Sequence, residues 1–127
     1  MRARSIALAA VLVGLGACGG SERTEAQQTL DELRALADQG DAEAQFNLGT
    51  MYFTGRGTDQ DDAEAAVWFR EAAKRGHSGA QFNLGAMYLE GRGVAKDMEA
   101  GLELMHKAAD QGHANAQKLI DQISAGS

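Results

Sequence analysis

The chain copies itself. Gly40, Gly76 and Gly112 lie 36 residues apart, and laying 40–75 over 76–111 gives 15 identities in 36 positions without a gap. Ordinary composition would give about two or three. The string AQFNLG stands at 44–49 and again at 80–85, each time followed by Met-Tyr (Met51, Tyr52; Met87, Tyr88). Gly-Arg-Gly follows at 55–57 and 91–93, then Asp61 and Asp97, then Ala-Ala at 72–73 and 108–109. A period of this length marks a supersecondary unit that buries its apolar face only against its neighbours, so the repeat constrains the fold before any local propensity does.

Each unit reads as two helices. In the first, Ala44, Leu48, Met51 and Tyr52 share one apolar face at i, i+4, i+7, i+8 spacing. Glycine in the Gly-Arg-Gly pair ends it, because glycine takes the left-handed conformation cheaply. Asp61 opens the second helix, and Glu64 three positions on completes a predicted capping box. Ala65, Trp68, Phe69, Ala72 and Ala73 form its buried stripe, and Lys74-Arg75-Gly76 closes it with cations that suit the helix dipole. Thr24 with Gln27 caps a further helix carrying Leu30, Leu33, Leu36 and Ala37, while Ala116, Gln117 and Ile120 restart a first-type helix in which Asp121 replaces Gly49 and Gly85. The expected layout is a half-repeat at 24–39, full repeats at 40–75 and 76–111, and a half-repeat at 112–127. Half-repeats at both ends would cover the faces a solenoid otherwise exposes.

Composition agrees. The 127 residues include no proline, and 44% are hydrophobic but only 6% aromatic, so the apolar content is mostly the helix formers Ala and Leu. The net charge of -6 would repel phosphate and excludes nucleic acid as a partner. A single cysteine leaves no internal disulfide and no multi-thiolate metal site.

A 36-residue unit with AxAQxxLGxxY, GxG, an Asp and a terminal AA-x-x-G resembles the Sel1-like repeat, a relative of the tetratricopeptide repeat. The resemblance covers residues 25–123 and implies an all-α fold, a short right-handed α/α solenoid of helix-turn-helix repeats. Gly101, Leu104 and Met105 depart from Ala65, Trp68 and Phe69, and looser packing is expected there.

The front of the chain differs. Arg2 and Arg4 precede an uncharged run from Ser5 to Ser21 that contains the apolar stretch Ile6–Leu15, as in a secretory signal peptide. At about 1.5 Å per residue its 17 residues reach roughly 25 Å, short of the ~30 Å hydrocarbon core of a bilayer. Leu15-Gly16-Ala17-Cys18 resembles the bacterial lipobox, which implies a signal peptide at 1–17, lipidation of Cys18 and a polar tether at 18–23. Two or three acyl chains hold a protein firmly at a membrane. By resemblance to Gram-negative lipoproteins, Gly19 rather than Asp after the cysteine implies the periplasmic face of the outer membrane. Without residues 1–17, and so without Arg2 and Arg4, 10 basic and 18 acidic groups remain, a net charge of -8. The lipid, not charge, must provide the membrane contact.

The first helix of each unit is expected to line the inner surface of the curve. Its candidate partner-binding residues are Phe46, Asn47, Thr50 and Phe53, then Phe82, Asn83 and Leu89. Asparagine amides bond a peptide backbone in both directions, and aromatic side chains anchor it. The same phenylalanines also suit the space between helices, and sequence alone leaves both readings open. Arg56 and Arg92 occupy matching loops, where each could grip a partner carboxylate or pair locally with Asp59 or Asp61.

Chemistry is sparse. His77 and His113 are repeat equivalents, His106 and Asp110 fall short of a tetrahedral zinc set, and Asp59, Asp61, Asp62 and Glu64 lack the glycine and bidentate glutamate of a calcium loop. No Ser-x-x-Lys occurs, and no Ser or Thr stands near a His–acid pair. The expectation is a non-enzymatic protein without cofactor or metal, an envelope lipoprotein binding a protein or peptide. Two alternatives stand beside it. Some cysteine-rich secreted relatives are linked to β-lactam binding, so a protein binding or hydrolysing cell-wall peptides or β-lactams is one, although the paired cysteines are missing. The other is a self-associating structural lipoprotein, since two full repeats fall below the roughly three that stability usually needs.

Overall fold

The computed structural model describes residues 25–126. The expected signal peptide at 1–17, Cys18 with its tether, and the Thr24 cap lie outside the described residues. Within them the chain is all-helical: α1 (Glu25–Asp38), α2 (Ala42–Thr54), α3 (Asp62–Lys74), α4 (Ser78–Glu90), α5 (Met98–Asp110) and α6 (Ala114–Gly126). Each helix packs on the helices before and after it in sequence, which makes an α/α solenoid of the pairs α2–α3 and α4–α5 flanked by α1 and α6. No described helix is long and apolar enough to cross a membrane.

Punctuation between helices repeats with the sequence. α3 ends with the Gly76 N–H donating to the Ala73 carbonyl at 2.9 Å and the His77 N–H to the Ala72 carbonyl at 3.1 Å, the paired bonds of a Schellman motif. The same pair closes α5 at Gly112 and His113 (2.8 and 3.1 Å). Gly76 sits at φ 89°, a conformation that L side chains resist.

The helix starts correct one expectation. Asp61 caps α3 by accepting from the Glu64 N–H at 3.0 Å. The returning half of the predicted capping box does not form, because the Asp61 N–H instead donates to the Tyr52 carbonyl at 2.8 Å. Asp97 repeats both contacts, with Ala100 N–H at 3.0 Å and Tyr88 carbonyl at 2.9 Å. This bond ties the end of each first helix to the start of its partner.

The core is built from small residues so that helices approach closely. Ala65, Ala66, Phe69 and Ala72 of α3 bury against Ala80, Leu84 and Met87 of α4. Gly49 lets α2 meet α3: a Cβ there would stand 2.7 Å from the buried Phe69 ring. In the second unit Gly85 and Gly101 face each other, each 2.9–3.0 Å from the other's carbonyl oxygen if given a Cβ. Leu89 fills the space beside Gly101, where a Cβ would lie 2.6 Å from its Cδ2. The looser packing expected in this unit is therefore absent. Gly101 is smaller than Ala65, and Leu89 takes up the volume, while Met105 is as fully buried as Phe69.

Candidate functional site

The first helices α2 and α4 carry the predicted partner-binding residues, and the structure divides them by role. Phe46 is half-buried and stacks on the His77 ring at the start of the next unit, with centroids 4.4 Å apart and planes 18° apart. Phe82 and His113 repeat the stack at 4.7 Å and 18°. Phe53 leans on Phe69 (6.2 Å) and is covered from the other side by the Arg92 guanidinium, 4.0 Å from its ring centre. Thr50 donates its hydroxyl to the Phe46 carbonyl of its own helix at 3.0 Å. Asn47 is exposed and Asn83 half-buried, and neither amide is hydrogen-bonded among the described residues. Leu89 packs on the α5–α6 core and lines a groove of about 370 Å³ together with Ala86, Met98, Leu119 and Ile123.

These stacks depend on a role for histidine that the sequence did not suggest. His77 is the N-cap of α4: its Nδ1 accepts from the Ala80 N–H at 3.1 Å. That assigns the ring proton to Nε2, which donates to Glu43 Oε1 at 2.8 Å. His113 caps α6 in the same way, accepting from Ala116 N–H at 3.3 Å. Asp41 performs this task one unit earlier, accepting from Ala44 N–H at 3.0 Å. The signal was available, since Asp41, His77 and His113 share a register and Asp is a common cap.

Neighbouring units are also pinned by polar contacts that repeat. Arg34 bonds the Tyr52 hydroxyl, and Arg70 bonds the Tyr88 hydroxyl at 3.2 Å. Buried Gln45 and Gln81 donate to the Ala37 and Ala73 carbonyls at 3.0 and 3.4 Å. Arg92 does not pair within its own loop. Its Nε donates to Asp62 Oδ2 of the preceding unit at 2.8 Å, a bond that raises the already high pKa of the guanidinium. Among the described residues, no group of three or more His, Cys, Asp or Glu side chains gathers to hold a metal ion.

The Sel1 repeat family matches residues 42–77 and 78–113, more than half of the chain. The chain belongs to the Sel1 repeat family. The crystal structure of a Sel1 repeat protein from Oxalobacter formigenes superposes with a TM-score of 0.70 at 41% identity, covering 71% of this chain and 68% of that one. The secretory immunoglobulin A-binding protein EsiB of Escherichia coli is 44% identical over 43 residues, 34% of this chain but 9% of that protein. Helicobacter pylori cysteine rich protein B is similar in fold, with a TM-score of 0.71 at 21% identity over 76% of this chain and 72% of that chain. The Sel1 units as matched begin at Ala42 and Ser78, the first residues of α2 and α4.

Proposed function

We propose that this Sel1 repeat protein is a non-catalytic scaffold that holds a protein partner in extended form along α2 and α4, anchored to the bacterial envelope by lipid on Cys18. The observation that carries the reading is the pair Asn47 and Asn83. They are two amides one repeat apart, on equivalent positions of equivalent helices, and neither is hydrogen-bonded among the described residues. An amide that offers both donor and acceptor at a fixed period matches the repeating N–H and C=O of a peptide backbone. Histidine and arginine contacts make the supporting helices rigid, so binding orders little of the protein itself. The E. coli relative EsiB is a secretory immunoglobulin A-binding protein, which supports a protein as the class of partner.

The anchor follows from Leu15-Gly16-Ala17-Cys18 after an apolar stretch, and Gly19 supports the periplasmic face of the outer membrane. Envelope crosslinking followed by purification should recover the same partner with the wild-type protein repeatedly. The double variant Asn47→Asp/Asn83→Asp, which removes the amide donors but keeps the shape, should lose it. Equal recovery by both would refute the reading.

A further inference from the structure

The groove lined by Ala86, Leu89, Met98, Leu119 and Ile123 has a counterpart one repeat upstream, and there the chain fills it with its own backbone. Shifting by 36 residues places Phe53 at the position of Leu89, Asp62 at Met98 and Met87 at Ile123. Onto that upstream surface folds the loop that follows α4. Arg92 lies over Phe53 and bonds Asp62. Gly93 comes so close that a Cβ would stand 2.5 Å from the Asp62 carbonyl oxygen and 2.8 Å from Met87 Cε. Val94 packs on the adjoining core. The seat thus accepts a non-helical segment reading Arg-Gly-Val.

The downstream groove keeps this shape and changes its chemistry. Asp62, which recognises the arginine, becomes Met98, and Phe53, whose ring faces the guanidinium, becomes Leu89. Met98 is 47% exposed and lines the groove beside Leu89, Leu119 and Ile123. Glu90 and Lys96 complete the lining with one charge of each sign, and the Glu90 charge also acts on Arg92. A guanidinium entering here would find no carboxylate at the place of Asp62 and would meet the Lys96 cation, whereas an aliphatic side chain would bury apolar surface against Leu89, Met98 and Leu119.

We propose that this groove is a peptide-binding site whose ligand is a loop or extended segment of a partner protein presenting an aliphatic residue followed by glycine. It rests on the scaffold reading in that the partner is a protein, and it shares α4 with that reading but neither Asn47 nor Asn83 lines the groove.

Labelled peptides containing Gly-Leu-Gly-Val or Gly-Arg-Gly-Val, titrated by fluorescence anisotropy against the full-length protein in detergent micelles, test it. The leucine peptide should bind about tenfold more tightly, an order set by the uncompensated guanidinium. Met98→Asp, at an exposed position that should tolerate the change, recreates the upstream acid and should reverse the order. Leu119→Asp should weaken the leucine peptide. Equal affinities, no binding of either peptide up to millimolar concentration, or an order unchanged by Met98→Asp would overturn the proposal. So would a Met98-dependent dimer in sedimentation, which would make a second copy the occupant. A partner still recovered by crosslinking when Met98→Asp has lost the peptide would leave the scaffold reading standing alone.

Discussion

Gly49→Ala adds one methyl group where α2 crosses α3, and the structure gives its consequences in detail. The new carbon would lie 2.7 and 2.8 Å from two ring atoms of Phe69 and 3.3 Å from the Ala65 carbonyl oxygen. Phe69 is fully buried, with the Phe46 ring 5.8 Å and the Phe53 ring 6.2 Å away, so it has little room to retreat. Overpacking of this kind costs about 1–3 kcal/mol. Alanine returns about 1 kcal/mol of helix propensity over glycine, which leaves a net loss of up to about 2 kcal/mol. For a domain of this size that lowers the melting temperature by up to roughly 16 °C. Thermal and urea unfolding followed by circular dichroism measures it. Phe69→Leu should relieve the clash, so that Gly49→Ala costs little in that background and the cycle shows strong coupling. Gly126, where a Cβ meets nothing within 4 Å, is the control. A Gly49→Ala protein stabilised by its propensity gain would refute the packing argument.

Other expectations test the seams and the anchor. His77→Ala should destabilise by about 1–2 kcal/mol through loss of the α4 cap, and His77→Asn should recover most of it, since asparagine caps well. Unfolding curves of the two variants decide this. Arg92→Ala and Asp62→Ala should lower the melting temperature by similar amounts, and the double variant should add little to either, because each removes the same cross-unit bond. Additive losses would separate the two residues. Cys18→Ala should move the protein from the membrane to the soluble fraction and abolish incorporation of labelled palmitate, and membrane retention would contradict the lipid anchor.

The period made most of the fold legible. Equivalent glycines, Asp61 and the Leu48 stripe place helix ends and buried faces because these depend on local backbone and on spacing alone. What sequence did not reveal lies between units. Asp61 was expected to form both arms of a capping box, but its N–H is taken by Tyr52 across the hairpin. Arg92 was expected to grip a partner or pair with a loop neighbour such as Asp59 or Asp61, the local acids for Arg56, yet its carboxylate lies 30 residues upstream. Such a pair depends on how units stack, which no window along the chain contains. For the candidate site, Phe46 and Phe82 turn out to stack on the histidine caps, and neither asparagine is hydrogen-bonded among the described residues. The groove at Leu89 emerged only when α6 was placed beside α4.

The claim that α2 and α4 present the partner-binding surface is tested most directly by a photo-crosslinking amino acid placed singly at Asn47, Asn83 and, on the exposed part of α5, Glu103. Defined adducts of one mass from Asn47 and Asn83, with none from Glu103, are expected. Adducts from Glu103 alone, or none at any position in intact envelopes, would contradict the account.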